Sequence, residues 1–562
     1  MQKMAACRDT AIAGIGKTNR MDFISENLIT ILILLPVVGA ALALGHQLFW
    51  KQESQIKWVA LGFTLVNFLV SLMLVASRAV ASENGFFFEK SVPWIRAINT
   101  NYHVGVDGLS IWLVILTTFI VPIAVISSWK AVEKSAAAFY IFILLLESAM
   151  IGVFVTLDLL VFYLFFEASL VPMFFLIGIW GGANRIYAAV KFFIFTAFGS
   201  LLMLAAIIGI YYVHAEATGA GTFDYVTLLN TMKLGQLSFT GPMATTGTLL
   251  FLAFALAFAI KVPVFPFHTW LPDAHTEAPT AGSIILAAIL LKMGTYGLMR
   301  FNFSLFPDQS RDFAPLFIAL AVIGIIYGAL VAMVQPDIKR LVAYSSVAHM
   351  GFVILGMFSF TEMGMQGAVY QMLNHGISTG ALFLLVGFIY ERRHTRTLSE
   401  FGGLANVMPI YATVFVITVM SSIGLPFLNG FVGEFLIMIG MWQSQAMDSV
   451  QWLGWNWNYV MTMFAGTGVI FAAVYLLWMV QQMFFGKLTN AKNKALSDLS
   501  WREVGLVVPL VLLMVFLGVY PRPFLDTSRD AILAIERQVM HRSGGTIETT
   551  EIARPDAGLP AK

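Results

Sequence analysis

Runs of about 20 apolar residues, one after another from residue 28 to residue 521, dominate this sequence; a helix needs that length to cross a hydrocarbon core about 30 Å thick. The runs fall at 28–45, 58–77, 109–129, 137–156, 158–180, 191–213, 247–267, 281–301, 314–334, 339–358, 367–389, 409–438, 459–484 and 504–521. They are rich in Leu, Ile, Phe and Ala and do not alternate in hydrophobicity, which excludes the roughly 10-residue strands of a membrane barrel. Lipid offers the backbone no hydrogen-bond partners, so each run must satisfy its own amides as a helix. The expectation is an all-α polytopic membrane protein with about 14 transmembrane helices. Apolar residues make up 59% and charged residues 11% of the chain, which excludes a soluble enzyme, a disordered chain and a nucleic-acid binder. The one cysteine, Cys7, excludes a disulfide framework, a Cys-ligated iron–sulfur cluster and a Cys-based zinc site.

Basic residues in the loops give the orientation. Loops after odd-numbered runs hold Lys51, Lys57, Lys130, Lys134, Arg185, Lys191, Lys339, Arg340, Arg392, Arg393, Arg396, Lys487, Lys492, Lys494 and Arg502. The opposite loops hold only Arg78, Lys90, Arg96, Lys233, Arg300 and Arg311. The richer side is expected to be cytoplasmic, and an even span count puts both termini on the periplasmic side. Residues 1–20 form a polar extension with no apolar core of signal-peptide length, and Met21 offers a second start. Residues 522–562 look like a polar, solvated tail.

Ionisable residues inside spans cost about 2.5–3.5 kcal/mol on insertion scales and usually mark a pathway through the bundle interior. Here they recur: Glu147, Glu167, Lys261, Lys292, His349, His375 and Glu434. Desolvation disfavours the charged form and a nearby opposite charge restores it, so buried lysines and carboxylates can exchange protons near neutral pH. Histidine needs little tuning. Acids, lysines and histidines spread over several helices therefore point to a proton relay. For Glu147 alone, an interhelical hydrogen bond or ion pair is the stronger reading. Lys261 is different, because Pro263 and Pro266 break the helix beside it and free carbonyls at membrane depth.

Glu434 repeats that pairing, following Gly424, Pro426, Gly430 and Gly433. The recurrence predicts two five-helix repeats, residues 137–301 (spans 4–8) and 314–484 (spans 9–13), with helices 7 and 12 discontinuous. An odd helix number inverts the second repeat relative to the first, a transporter arrangement. Spans 1–3 fill residues 21–136, and span 14 lies at 504–521. The loop HTWLPDAHTEAPT holds His268, Asp273, His275 and Glu277, but irregular spacing and three prolines favour a fixed turn over a metal site. The aromatic residues read as lipid-facing and interfacial, not as a quinone cage.

Six segments together carry a resemblance: VGVDGLS (104–110), FFEASLVPMF (165–174), KVPVFPFHTWLPDAHTEAPTAGS (261–283), LLKMGTYGLMR (290–300), QPDIKRLVAYSSVAHMGF (335–352) and NHGISTGALFL (374–384). Over spans 3–13 the chain resembles the antiporter-like membrane subunits of respiratory complex I, the NADH-quinone oxidoreductase. The L- and N-type branches of that family carry lysine at the broken span 12; a third branch carries glutamate, as Glu434 does here. The resemblance implies that Glu167 and Lys261 form an input pair, that Lys292, His349 and His375 connect it onward, and that Glu434 exchanges a proton with the far side. It also implies that NADH, FMN, iron–sulfur clusters and quinone belong to partner subunits, with no cofactor or metal on this chain. The expected partners are other membrane-arm subunits, L- and N-type included, and lipid, with no nucleic acid; the expected location is a bacterial inner (plasma) membrane. A cation/proton antiporter subunit, a hydrogenase membrane subunit and a non-conducting scaffold are the alternatives. Glu434 argues against the first, and the buried titratable series against the last.

Overall fold

A computed structural model describes residues 20–49, 53–76, 81–445, 450–452 and 454–540. The polar extension up to residue 19, with Cys7, and tail residues 541–562 lie outside the described residues, as do Lys51 and Arg78. Twelve of the described helices are long and apolar enough to cross a membrane, and three shorter apolar helices accompany them. Every expected interval contains one of these helices, with Leu159–Trp180 counted as one although it is interrupted at Ser169; the interval 409–438 contains two, separated by a break.

In chain order the helices are α1 (Arg20–Phe49), α2 (Glu53–Ser71), α3 (Ile111–Ser127), α4 (Ala136–Val155), α5 (Leu159–Ala168), α6 (Leu170–Trp180) and α7 (Arg185–Thr218). After α8 (Tyr225–Lys233) come α9 (Ala244–Lys261), α10 (Trp270–Glu277), α11 (Thr280–Leu305), α12 (Ala314–Met333), α13 (Ile338–Met357) and α14 (Glu362–Arg393). The last are α15 (Pro409–Ile423), α16 (Asn429–Trp442), α17 (Trp457–Phe484), α18 (Trp501–Val519) and α19 (Arg522–Met540). Local chemistry sets the helix starts. Asp158 accepts from the Leu160 and Val161 amides at the head of α5, and Asp337 does the same for α13. Ser500 and Glu503 form a capping box at the head of α18.

The apolar stretches of α11 and α14 are buried along their whole length, whereas α2 buries 28% of its stretch and α18 33%. Two helices enclosed on all sides thus form an axis, and the helices around it present one face to lipid. That axis carries Lys292 and His375.

Two features were not foreseen. The loop between α2 and α3 folds into an antiparallel hairpin, β1 (Phe87–Ile95) and β2 (Thr100–Val106), with Lys90 opposite Val104 and Val92 opposite Tyr102. The tail expected to be solvated contains α19, which buries Ser528, Ile532, Ile535 and Val539 at helical spacing. Its charged residues had hidden a narrow apolar stripe.

The hairpin is tied to the bundle through charge. His103 on β2 hydrogen-bonds Asp224 through Nδ1 and Glu89 through Nε2, the latter at 2.9 Å. Burial pushes the imidazole pKa down, but hydrogen bonds and charge from Asp224 and Glu89 outweigh it, and the net value is raised above 6.5. Asp224 is the converse: burial pushes it up, His103 outweighs this, and it falls below 3.8. The His103 contribution is therefore fully present below pH 6.5 and lost as pH rises through the folded value. The Asp224 contribution is present above pH 3.8 and lost on further acidification. Amide exchange of Thr100–Val106 is expected to show extra opening at alkaline pH, and His103→Gln to remove that dependence; equal alkaline profiles would refute it.

Candidate functional site: a line of titratable groups across the bundle

Lys292 is the centre. It lies on the straight middle segment of α11, Leu291–Gly297, between two wider π turns at Leu286–Leu290 and Leu298–Asn302. Such turns shift carbonyls out of the regular i→i+4 ladder. Lys292 Nζ donates to the Ala287 carbonyl at 2.5 Å and lies 2.7 Å from His375 Nδ1. With the lysine protonated, Nζ donates and Nδ1 accepts, which puts the proton of a neutral ring on Nε2.

His375 neighbours His349 of α13, with ring centroids 5.9 Å apart. His349 Nδ1 lies 3.0 Å from Glu434 Oε1; toward an ionised carboxylate it donates, which leaves Nε2 as the basic nitrogen of a neutral ring. Neither Nε2 has a protein hydrogen-bond partner among the described residues, although both side chains are buried. With Lys292 protonated and Glu434 ionised, one ring holds a free N–H and its neighbour a free lone pair. Lys292, His375, His349 and Glu434 form one series of neighbours, two hydrogen-bonded pairs whose imidazoles lie side by side.

Glu434 sits on α16, just past the break after α15. Gly424 ends α15 at φ 83°, a left-handed conformation that favours glycine. Gln371 Nε2 also donates to Glu434 Oε1, at 3.1 Å. Asn374 holds Gln371 Oε1 at 3.2 Å and the Asn429 carbonyl at 2.7 Å. Gly433 makes room for this belt: a Cβ there would stand 2.3 Å from Gln371 Oε1. Gly433→Ala should displace Gln371 from Glu434 and destabilise the fold by about 1–3 kcal/mol. A lowered thermal midpoint checks this, and an unchanged one would contradict it.

The other two expected residues lie apart from that series. Lys261 is the last residue of α9, followed by turns through Thr269 before α10. Its buried Nζ has no hydrogen-bond partner among the described residues and faces the rings of Phe166 at 4.9 Å and Phe192 at 5.9 Å. Glu167 is half-buried near the end of α5, beside Ser200 and within electrostatic reach of Lys261. The helix is interrupted two residues later at Ser169, where Pro172 supplies no amide to the Ala168 carbonyl. No ion pair of 4 Å or less joins Glu167 to Lys261 among the described residues. Gly294, two residues past Lys292, packs where a Cβ would lie 3.1 Å from Lys261 Cβ, so the lysine's backbone abuts the axis helix.

The loop acids have ordinary partners. Asp273 pairs with Lys191 at 2.7 Å and Arg340 at 3.6 Å, and Glu277 accepts from the Asn184 amide at 2.9 Å. No group of three metal-ligating side chains forms among the described residues. His268 stacks against Phe265. His275 is completely buried and lies flat on Phe383 at 4.5 Å, with neither ring nitrogen hydrogen-bonded among the described residues. It is close enough to Lys292, His375 and Lys339 to feel their charges. The sequence reading had weighed it only as a metal ligand; its place beside Lys292 is a tertiary fact. Gln371 and Asn374 were missed because neutral amides give no charge signal.

Comparison with known proteins agrees with this architecture. Residues 156–453 match the family described as NADH:quinone oxidoreductase/Mrp antiporter, TM, and residues 85–156 match NADH-ubiquinone oxidoreductase chain 4, amino terminus. The chain is 46% identical over 528 residues to NADH-quinone oxidoreductase subunit M of Rhodobacter capsulatus, covering 93% of this chain and 98% of that one. It is 41% identical over 518 residues to the subunit M of Escherichia coli, covering 90% and 97%. A chain of respiratory complex I from Thermus thermophilus with bound NADH superposes with a TM-score of 0.79 at 31% identity, covering 91% of this chain and all of that one. An archaeal membrane-bound sulfane sulfur reductase chain shares the fold, with a TM-score of 0.74 at 23% identity over 88% of this chain and 76% of that one. The chain belongs to the NADH-quinone oxidoreductase subunit M family, the antiporter-like membrane subunits of respiratory complex I.

Proposed function

We propose that this chain moves protons through Glu167, Lys261, Lys292, His375, His349 and Glu434 while NADH oxidation and quinone reduction occur in partner subunits. The observation that carries the reading is a pair of hydrogen-bonded contacts, Lys292 with His375 and His349 with Glu434, whose two imidazoles are neighbours with centroids 5.9 Å apart and unpartnered Nε2 atoms among the described residues. A proton passing from Lys292 Nζ to His375 Nδ1 lets the ring release the one on Nε2. His349 takes a proton on Nε2 and gives its Nδ1 proton to Glu434. Each imidazole gains one proton and loses one, so no charge remains on either ring. Both rings end as the other tautomer and must reset before the next transfer. The two Nε2 atoms make no hydrogen bond to each other, so this transfer requires a bridging water or a ring rotation.

Glu167 and Lys261 form the input pair: with the glutamate close, Lys261 keeps its proton, and with their charges drawn apart it gives the proton up. The breaks after Lys261 and before Glu434 fit two inverted five-helix units, residues 137–301 and 314–484, each with its fourth helix interrupted. From the bias of basic residues in the loops we assign the Lys339 and Arg396 side to the cytoplasm and both termini to the periplasm, in the inner membrane of a bacterium. His275, within electrostatic reach of both Lys292 and Lys339, extends the line toward that cytoplasmic side. Each proton moved against the membrane potential costs about 2.3 kcal/mol per 100 mV. The row contains no energy source, so the L- and N-type and other membrane-arm partners must deliver it.

The test is NADH-driven proton pumping in membrane vesicles with assembly checked alongside. Glu434→Gln should assemble and lose at least about tenfold in pumping. Assembly with normal pumping would leave Glu434 as a structural acid.

A further inference from the structure

Glu147 is a completely buried acid at mid-helix that the proposed route leaves out. It lies in the middle of α4, completely buried, on the side facing α2 rather than the axis. Asn67 of α2, also completely buried, donates from Nδ2 to Glu147 Oε1 at 2.8 Å. Beyond that bond, both groups are short of donors. Glu147 Oε2 and Asn67 Oδ1 are buried oxygens with no hydrogen-bond partner among the described residues. The surrounding polar groups are already used: Ser148 donates to the Ile33 carbonyl of α1 at 2.8 Å, and Ser71 pairs with Thr118 of α3 at 2.7 Å. No cationic side chain forms an ion pair with Glu147 among the described residues.

A carboxylate only accepts hydrogen bonds, and one donor does not balance a buried charge. A proton on the carboxyl changes the account at both oxygens. It converts Oε2 from an orphan acceptor into a donor, and Asn67 Oδ1 is the orphan acceptor on the same carboxamide that already holds Oε1. If the amide is turned over, its oxygen still needs the acid proton, so the conclusion does not depend on the assigned orientation.

We propose that Glu147 is carried as a neutral carboxylic acid in a reciprocal acid–amide pair with Asn67, which fastens α2 to α4 and takes no part in proton transfer. The proton it holds is fixed. This separates it from Glu167 and Glu434, each of which has a titratable neighbour to trade with.

The experiment uses the assembled complex in membranes and in purified form. Glu147→Gln replaces O–H by N–H and keeps the carbonyl, so it should assemble and pump within about twofold of wild type. The infrared difference between wild type and Glu147→Gln should contain a protonated-carboxyl C=O band at neutral and alkaline pH, unchanged by NADH-driven turnover. Glu147→Leu, which orphans Asn67, should reduce assembly, and adding Asn67→Leu should restore much of it, since removing both partners leaves nothing unsatisfied. Carboxylate bands in place of the acid band, or an assembled Glu147→Gln complex that fails to pump, would overturn the proposal. The pumping arm rests on the proton-route reading, but the infrared arm does not. If Glu434→Gln pumps normally while the acid band is present, that reading has failed and this pair stands.

Discussion

A complex carrying Lys261→Arg is expected to assemble and yet lose about a hundredfold in NADH-driven proton pumping, as when a positioned acid–base group is removed. The substitution keeps the positive charge and a long side chain, and guanidinium groups stack readily on the aromatic faces that Phe166 and Phe192 offer. What it removes is the ability to let a proton go, because arginine stays charged at any pH a protein tolerates. Lys261→Met is the companion variant: it keeps the packing volume and removes both charge and proton. If Lys261 served only as a fixed charge, Arg would work and Met would fail. If it exchanges protons, both fail alike. Pumping by vesicles, normalised to assembled complex on a native gel, separates the cases, and a wild-type rate for Lys261→Arg would sink the input-pair assignment. The loss should exceed that at Glu434, since Lys261 Nζ is buried with no hydrogen-bonded neighbour to stand in for it.

The fold was legible because lipid leaves the sequence little choice. A run long enough to cross must be a helix, so each interval proved helical, and the two breaks were marked by Pro263, Pro266, Gly424 and Pro426. Charge at membrane depth singled out Lys292, His349, His375 and Glu434, which the fold brings into one contiguous series. What stayed hidden is what water permits. The β1–β2 hairpin and α19 lie outside the apolar runs, where a segment has many options and its partner decides among them. His275 gave no sign of its place beside Lys292, because that proximity depends on how α10 folds back after the break. The wide turns of α11 were equally silent, since Leu, Ala and Ile fit either helix type.

The largest loss of stability is expected from Asp107→Ala. Asp107 Oδ1 accepts from Arg300 Nη2 at 2.6 Å and from the Leu109 and Ser110 amides at 3.1 and 3.3 Å, at the head of α3. Arg300, near the end of α11, is 4% exposed and sits against the rings of Phe86, Tyr296 and Tyr225 at 5.3–5.8 Å. Those faces attract a cation but do not neutralise it. Removing the carboxylate leaves a buried charge unpaired, a change worth about 3–5 kcal/mol, and also strips the Leu109 amide of its acceptor. Replacing both partners with apolar residues, as in Asp107→Leu with Arg300→Met, should cost clearly less, because no uncompensated charge remains. The signature differs from that at Lys261. Asp107→Ala should lower the amount of assembled complex and its thermal midpoint, while the pumping of each surviving complex stays near normal. Full assembly with poor pumping would instead make Asp107 part of the proton route, and the free Nε2 atoms of His375 and His349 would no longer be enough to define where that route runs.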